Sequence, residues 1–341
     1  MKSKIDKSDL RRVILSTPGQ FAEGFEIAKN VKAKKDFKRM VVSGMGGSAL
    51  PVDVLKGYLN DLFLENKDIN IVDVQGNRTY KLPAESYDNC LNVICSHSGN
   101  TEETIASFEE AIDNKLECIG VSAGGKVEEI CKEKGITHIK LPVPFENFQP
   151  RMATGHFVSV LLSILMNSGK IPNNSKELVG CVTDYLKSNV KTNENKGKEL
   201  AKKLVGKTPL IYSSDKFKSL AMIWKIKINE NAKVPAFWNY FPELNHNEFV
   251  GFTSPKADFH CIMLRDEDDY ERNLMRYDAT AEALAEKGIE TDTVLIEGDT
   301  ILEKLCSTIA MCDWVSYYLA LEYDIDPTPV DMVEDFKKAL N

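Results

Sequence analysis

Several kinds of functional sequence are missing from this chain of 341 residues. No apolar run is long enough to span a membrane, and the first residues lack the apolar segment of a signal peptide. The eight cysteines form no C-x-x-C pair, and the five histidines form neither H-x-H nor H-E-x-x-H. The common zinc sites are therefore disfavoured. We expect a cytoplasmic protein that has no membrane partner and needs no metal.

The chain is also short of positive charge, because 43 Lys and Arg residues face 51 Asp and Glu residues, for a net charge of −8. A nucleic-acid binder carries a clustered basic surface, so that class of partner is disfavoured. An anionic ligand would need local donors, such as helix N-termini and a few placed cations. The cysteines lie mostly inside apolar runs and are expected to be reduced core residues.

Strand-like runs alternate with helical patterns in two similar rounds, which predicts an α/β protein with two doubly wound parallel sheets flanked by helices. The predicted domains are a helical N-terminal arm (1–36), a first domain (37–170), a helical connector (171–206), a second domain (207–322) and a C-terminal tail (323–341). The predicted strands are 40–43, 69–74, 91–95, 117–122, 138–141, 209–213, 259–264 and 292–296. A helix from residue 216 to about 231 follows the sixth strand, and an apolar stripe on the terminal helix predicts that the tail docks on the body.

The most informative stretch is Cys95-Ser96-His97-Ser98-Gly99-Asn100-Thr101, which follows an apolar run and opens a helical pattern. Backbone N–H groups at a helix N-terminus bind anions, and three hydroxyl side chains add further donors. This pattern predicts a phosphate site. The alternative is a simple helix cap, although a capping box uses only one hydroxyl.

A second turn, Gly44-Met45-Gly46-Gly47-Ser48, follows the first predicted strand. Glycines let the backbone approach a ligand, but the spacing fits neither the G-x-x-x-x-G-K-[ST] phosphate loop nor the G-x-G-x-x-G dinucleotide turn. Adjacent parallel strands place both turns at one carboxyl edge, where doubly wound sheets bind ligands.

Four more side chains are candidates, each with a simpler alternative. Arg151 opens a helix where the macrodipole disfavours a cation, so either an anionic ligand or a surface ion pair holds it there. Glu230 ends a mostly apolar helix, and partial burial would fit it for general-base work unless it is merely exposed. His246 lies in a loop between aromatic residues, and Lys337 lies beside the tail stripe. Both are commonly surface residues.

In this order, the motifs resemble the sugar isomerase (SIS) fold and, within it, the bifunctional phosphoglucose/phosphomannose isomerase family of archaea and some bacteria. The pieces that match span residues 44 to about 337, which is most of the chain. They are Gly44-Met45-Gly46-Gly47-Ser48, the stretch from Ser96 to Thr104, Pro150-Arg151, Glu230-Asn231, Asn245-His246-Asn247-Glu248 and Asp326-Pro327-Thr328-Pro329.

The resemblance implies an aldose–ketose isomerase that interconverts glucose 6-phosphate with fructose 6-phosphate through an enediol, with no cofactor. It implies a homodimer in which the partner copy contributes the histidine to each site. By the same resemblance, Ser96, Ser98 and Thr101 bind the phosphate, Gly47 and Ser48 line the sugar, Arg151 stabilises the enediolate, Glu230 is the base, and His246 and Lys337 assist ring opening. The lysine could instead be Lys338. His97 stands where relatives often have tyrosine and is expected to matter little.

Two rival functions stay open at this point. A non-catalytic sugar-phosphate sensor would need an output module, and none is visible in the sequence. An enzyme of amino-sugar synthesis would need a glutaminase nucleophile near the N-terminus, and no cysteine precedes Cys90. Acceptance of mannose 6-phosphate depends on the shape of the pocket, which the sequence does not specify.

Overall fold

The computed structural model describes residues 4–66, 71–172 and 174–340. Their contacts divide the chain into two compact units. The first unit contains residues 16–187 and 300–303, and the second contains 1–15, 188–299 and 304–341. Parts of three predictions, namely the chain termini, the start of the predicted strand 69–74 and Asn173 in the connector, lie outside the described residues.

The first unit is built on a five-stranded parallel sheet in the order β2-β1-β3-β4-β5. Its strands are β1 Arg39–Ser43, β2 Asp73–Asn77, β3 Cys90–Cys95, β4 Cys118–Ser122 and β5 Thr137–Lys140. The central strands are almost fully buried, as expected for a parallel sheet covered on both faces. Because β1 pairs directly with β3, the loops that follow these two strands leave the same edge of the sheet side by side.

The helices in this part of the chain are α1 Leu10–Ala28, α2 Leu50–Glu65, α3 Glu102–Asp113, α4 Gly125–Lys134, α5 Thr154–Asn167 and α6 Ser175–Lys203. Helix α5 is buried along nearly its whole length. Helix α1 packs closely on it, because a Cβ atom on Gly24 would lie 2.7 Å from the carbonyl oxygen of His156. The glycine therefore sets the distance between the two helices.

The second unit contains a four-stranded parallel sheet in the order β7-β6-β8-β9. Its strands are β6 Thr208–Ser214, β7 Phe237–Phe241, β8 Phe259–Arg265 and β9 Glu290–Leu295. The helices that follow along the chain are α7 Lys218–Lys227, α8 Glu271–Ala285, α9 Ile301–Glu322 and α10 Asp331–Ala339. The two parallel sheets with flanking helices confirm the predicted α/β fold class.

Two local predictions are wrong and one strand is missing from them. Strand β2 begins at Asp73, whereas the predicted strand already includes residues 71 and 72, and β7 has no predicted counterpart because this edge strand is mostly half-exposed and has no continuous apolar run. The predicted helix 216–231 is divided into a 3-10 turn (Asp215–Phe217), α7, and a π-helical turn (Ile228–Ala232).

The tail helix α10 and one cysteine also depart from expectation. The apolar stripe of α10 does not dock on the body, since no residue of α10 is buried and Met332 and Phe336 are 89% and 64% exposed. A helical apolar stripe marks a surface suited to burial, but the sequence does not show what buries it. All eight cysteines are free thiols, as predicted, yet Cys181 is exposed rather than part of the core.

Candidate active site

The loop after β3 brings three hydroxyl groups together. Ser96 Oγ lies 2.8 Å from Thr101 Oγ1 and 3.5 Å from Ser98 Oγ, and it accepts the Gly99 backbone N–H at 3.0 Å. Ser96 is fully buried, whereas Ser98 is exposed and Thr101 is half-buried. The loop therefore has a fixed base at Ser96 and two hydroxyls closer to the surface that can face a ligand.

No capping hydrogen bond to α3 is formed by these hydroxyls. Thr101 occupies the N-cap position, but its side chain forms no capping hydrogen bond, and Ser98 Oγ accepts the N–H of Asn100 at 3.2 Å. The first turn of α3 already holds Glu102 and Glu103, which complement the positive end of the helix dipole. An anion at this loop would therefore depend on the hydroxyls and the loop N–H groups.

The turn after β1 is hydrogen-bonded to the loop of residues 96–101 (the hydroxyl loop). It is a 3-10 turn over Gly46–Ser48, and the buried Ser48 Oγ accepts the backbone N–H of His97 at 3.0 Å. On its other side, a Cβ atom on Gly47 would lie 2.3 Å from the backbone nitrogen of Arg151. Gly47 thus permits a contact between two backbone segments that no other residue allows.

Arg151 lies in a 3-10 turn, Pro150–Met152, immediately before α5. Arg151 is 1% exposed and its Nη1 donates to Gln149 Oε1 at 3.3 Å, so the guanidinium lies in the interior and not on the surface. A buried guanidinium is uncommon and needs polar or anionic partners. The first unit thus brings together all of its predicted site residues: Gly47, Ser48, Ser96, Ser98, Thr101 and Arg151.

His97 belongs to the hydroxyl loop, but its side chain faces the interior. Its ring is buried, with its centroid 5.4 Å from that of Phe148. Burial, together with the nearby His156, lowers the pKa of His97 to about 4. The imidazole is therefore neutral at neutral pH and adds no positive charge beside the proposed anion site.

Glu230 lies in the second unit, in the middle of the π-helical turn Ile228–Ala232, and it is half-buried. The residues around it are anchored to α9: Lys227 Nζ donates to Asp313 at 2.5 Å, and Asn231 Nδ2 donates to Ser316 Oγ at 2.9 Å. Turns of this kind are rare and occur often at functional sites. The simpler alternative, an exposed residue at a helix end, does not fit this burial.

His246 is exposed, whereas the motif residues around it are anchored. Asn245 donates to Thr280 Oγ1 at 3.0 Å, and Glu248 accepts hydrogen bonds from the Tyr212 hydroxyl and the Asn239 amide. Three anchored neighbours, Asn245, Asn247 and Glu248, hold a loop whose histidine points away from the core. The anchors to Tyr212 and Thr280 have no signal in the sequence, because these partners lie 36 and 35 positions away along the chain.

The tail lysines are both exposed on α10. Lys337 Nζ donates to Glu334 at 2.7 Å, and Lys338 Nζ donates to Asp335 at 2.9 Å. Each lysine thus pairs with a carboxylate three residues earlier in α10. The assignment of Lys337, and not Lys338, to the site stays a prediction.

A metal centre has no support in the part of the chain that the structure describes, where no three Cys, His, Asp or Glu side chains cluster as ligands. Likewise, none of the helices formed by the described residues is long and apolar enough to cross a membrane.

Comparisons over nearly the whole chain point to one family. Residues 193–340 match the family described as bacterial phospho-glucose isomerase C-terminal SIS domain. A bifunctional phosphoglucose/phosphomannose isomerase of Caldicellulosiruptor bescii is 34% identical over 96% of this chain and 97% of its own length. Its counterpart in Aquifex aeolicus is 32% identical, over 94% of this chain and 96% of that protein.

A solved structure supports the fold alone. The C-terminal domain of glucosamine-fructose-6-phosphate aminotransferase from Francisella tularensis matches with a TM-score of 0.70 and 13% identity, over 96% of this chain and 100% of that chain.

Proposed function

This chain belongs to the bifunctional phosphoglucose/phosphomannose isomerase family, and we propose that it interconverts glucose 6-phosphate and mannose 6-phosphate with fructose 6-phosphate. It is an aldose–ketose isomerase, an intramolecular oxidoreductase. The observation that carries the proposal is the joined group of Gly47, Ser48, the hydroxyl loop 96–101 and Arg151, because it supplies donors for a phosphorylated sugar in a chain so similar to these relatives.

The phosphate is bound by neutral donors. Ser96, Ser98 and Thr101 offer hydroxyls, and hydrogen bonds to a charged group are worth roughly 1.5–3 kcal/mol each. The clustering of the three Oγ atoms supports this role. With the phosphate held, Gly47 and Ser48 line the sugar, so that the reacting carbons keep a fixed position.

The proton transfer is assigned to Glu230. The carboxylate removes the proton on C2 of the open-chain aldose and returns it to C1, while the hydroxyl proton moves from the C2 oxygen to the C1 oxygen. The atoms balance without an external oxidant or reductant. A placed general base contributes roughly 10²–10⁴ in rate. Half-burial of Glu230 in a turn anchored to α9 supports this assignment.

The remaining charged residues serve the intermediate and the ring. Arg151 stabilises the negative charge of the enediolate, and loss of one such donor costs about 2.7–4 kcal/mol. His246 and Lys337 assist opening of the cyclic sugar. Glucose and mannose 6-phosphates give the same enediol because they differ only at C2, so one base can serve both substrates.

We further propose a cytoplasmic homodimer that acts in glycolysis and gluconeogenesis and whose sites each use His246 of the partner copy. The anchored but outward-facing loop of His246 supports this arrangement, as does the exposed apolar stripe of α10, since large exposed apolar patches commonly mark interfaces. Eight free cysteines support a reducing compartment.

The test is an assay of the purified protein on both aldose phosphates, with and without a chelator, coupled to a dehydrogenase specific for the product. We expect turnover of both substrates that chelation leaves unchanged. Binding of fructose 6-phosphate without any turnover would instead support the sugar-phosphate sensor and overturn the enzyme assignment.

A further inference from the structure

Lys233 holds three backbone carbonyls that come from two distant parts of the chain. It follows the π-helical turn directly and adopts the left-handed conformation, with φ of 59°. Its ammonium donates to the carbonyl oxygens of Glu230 at 2.9 Å, Asn231 at 3.1 Å and Pro327 at 2.9 Å. Two of these carbonyls belong to the turn that carries the proposed base.

Part of this arrangement is ordinary helix capping. The last carbonyls of a helix have no partner within it, and a lysine near the end commonly satisfies them. The bond to Pro327 goes beyond capping, because it joins residues 94 positions apart. Pro327 lies in segment 326–329, which precedes α10, the helix that carries Lys337. Segment 326–329 is itself ordered, with Thr328 buried and its N–H bonded to Asp326 at 3.2 Å.

Two other bonds at the π-helical turn reach α9, and a third, from Asn229 Nδ2 to the Val234 carbonyl oxygen at 2.7 Å, is local. Lys227 and Asp313 form an ion pair in which the residues are 1% and 2% exposed, and Asn231 is bonded to Ser316. These contacts hold the start and the middle of the turn. Lys233 holds the end of the turn and links it to segment 326–329.

We propose that Lys233 is a positioning residue. It fixes the backbone of Glu230 and segment 326–329 relative to each other, and so keeps the proposed base at a constant distance from the segment that leads into α10. It acts through Glu230 and does not touch the substrate. The inference rests on the proposed function, because it assigns Glu230 as the base. A misplacement of about 1 Å in a reacting group can cost on the order of 10²-fold in rate, so a link of this kind affects turnover directly.

The experiment compares Lys233→Met, Lys233→Arg and a matched control, Lys196→Met, in the full-length protein. Lys196 pairs with Glu297 across an exposed surface of the same unit, so its replacement removes a lysine and an ion pair but no carbonyl contacts. For Lys233→Met we expect kcat to fall about tenfold or more, with the KM for fructose 6-phosphate within about twofold of the unchanged protein. Lys233→Arg keeps several N–H donors and should recover much of that loss.

Hydrogen exchange supplies a readout that does not depend on activity. The amides of Asp326, Thr328 and the start of α10 should exchange faster in Lys233→Met than in Lys196→Met. Should Lys233→Met fail to fold, Lys233→Gln replaces it, because its shorter amide cannot reach all three carbonyls and should show the same loss of kcat.

The outcomes separate the two proposals. An unchanged protein that does not isomerise either sugar phosphate overturns the proposed function. If that protein is active, a folded Lys233→Met or Lys233→Gln with full kcat overturns the role of Lys233. So does a variant that raises KM alone, because that pattern belongs to a residue that binds the substrate.

Discussion

A Cβ atom on Gly47 would lie 2.3 Å from the backbone nitrogen and 2.5 Å from the Cα atom of Arg151. Both of these atoms belong to the backbone, so a change of side-chain rotamer cannot relieve the contact. The absence of a side chain at Gly47 therefore sets how closely the sugar-lining turn approaches the segment that carries the buried arginine.

The first prediction is that Gly47→Ala lowers kcat/KM for fructose 6-phosphate by about tenfold or more, because it must displace Arg151 or the turn. Steady-state kinetics and a thermal unfolding midpoint measure the two consequences. Gly19→Ala is the matched control, because Gly19 is exposed in helix α1 and a Cβ atom there meets nothing within 4 Å. Equal activity in both variants would contradict the importance of the Gly47 contact.

The second prediction concerns Ser98, the exposed hydroxyl of the loop. Ser98→Ala should raise the KM for fructose 6-phosphate by about tenfold or more while kcat stays within about threefold, because it removes one donor to a charged group. Steady-state kinetics over a wide substrate range supplies both constants. Ser254→Ala, at another exposed serine, should change neither. A KM that stays the same in Ser98→Ala would remove Ser98 from the phosphate site.

The third prediction concerns the proposed base. Glu230→Gln keeps the size and the hydrogen-bonding capacity of the side chain but cannot accept the proton, so kcat should fall by roughly 10²–10⁴. Calorimetric titration with fructose 6-phosphate should show that binding is retained. Full turnover by Glu230→Gln would exclude Glu230 from the proton transfer, and loss of binding together with turnover would show damage to the fold.

Much of the first unit could be predicted from the sequence because its sheet is buried on both faces. Strands β1, β3 and β4 are short apolar runs, and each is followed by a turn of glycine or hydroxyl residues at the edge where ligands bind. The hydroxyl loop and the Gly47 turn were found in this way. The contact between Gly47 and Arg151 was not, because a distance between two loops has no signal in spacing along the chain.

The features that escaped prediction depend on contacts between distant residues. The π-helical turn around Glu230 looks like continuous helix in sequence, and only its partners on α9 distinguish it. Lys233 looks like an ordinary surface lysine until its bond to Pro327 is seen. The stripe of α10 was correctly recognised as apolar, but periodicity shows which face is apolar and not what covers it.

The fourth prediction is a loss of stability in mild acid caused by His97. The folded protein holds the pKa of His97 at about 4 through burial and the proximity of His156, against an ordinary value of 6.5. Below pH 6.5 the unfolded chain takes up a proton that the folded protein refuses, so stability falls as the pH drops from 6.5 towards 4. Between pH 7 and pH 5 the free energy of unfolding should decrease by about 2 kcal/mol from this group.

Urea unfolding at several pH values, compared between the unchanged protein and His97→Gln, isolates this contribution. Burial also lowers the pKa of His156, against the opposing effect of Glu23, and that of His138. His156 and His138 are present in both proteins and lower the stability of both in acid. The difference between the two curves therefore belongs to His97. Parallel curves would show that His97 is not held neutral by the fold.

The fifth prediction tests whether sites are shared between copies of the chain. Glu230→Gln and His246→Ala should each be nearly inactive alone. Mixed under conditions that allow subunits to exchange, they should recover up to about a quarter of the activity of the unchanged protein. Half of a random mixture is heterodimer, and one of its two sites then combines an intact Glu230 with an intact His246 of the partner copy.

The control is a mixture of Glu230→Gln with Ser98→Ala, which places both defects in the residues that one copy would supply. Neither site of such a heterodimer then has a complete set of side chains, so this mixture should show no gain beyond the partial activity of Ser98→Ala. The decisive comparison is the double variant Glu230→Gln/His246→Ala mixed with unchanged protein. If His246 crosses to the partner, each heterodimer has one defect in each of its sites, and activity falls below the fraction of unchanged chains. If each copy uses its own His246, one site of every heterodimer stays intact and activity remains proportional to that fraction, which would contradict the shared site.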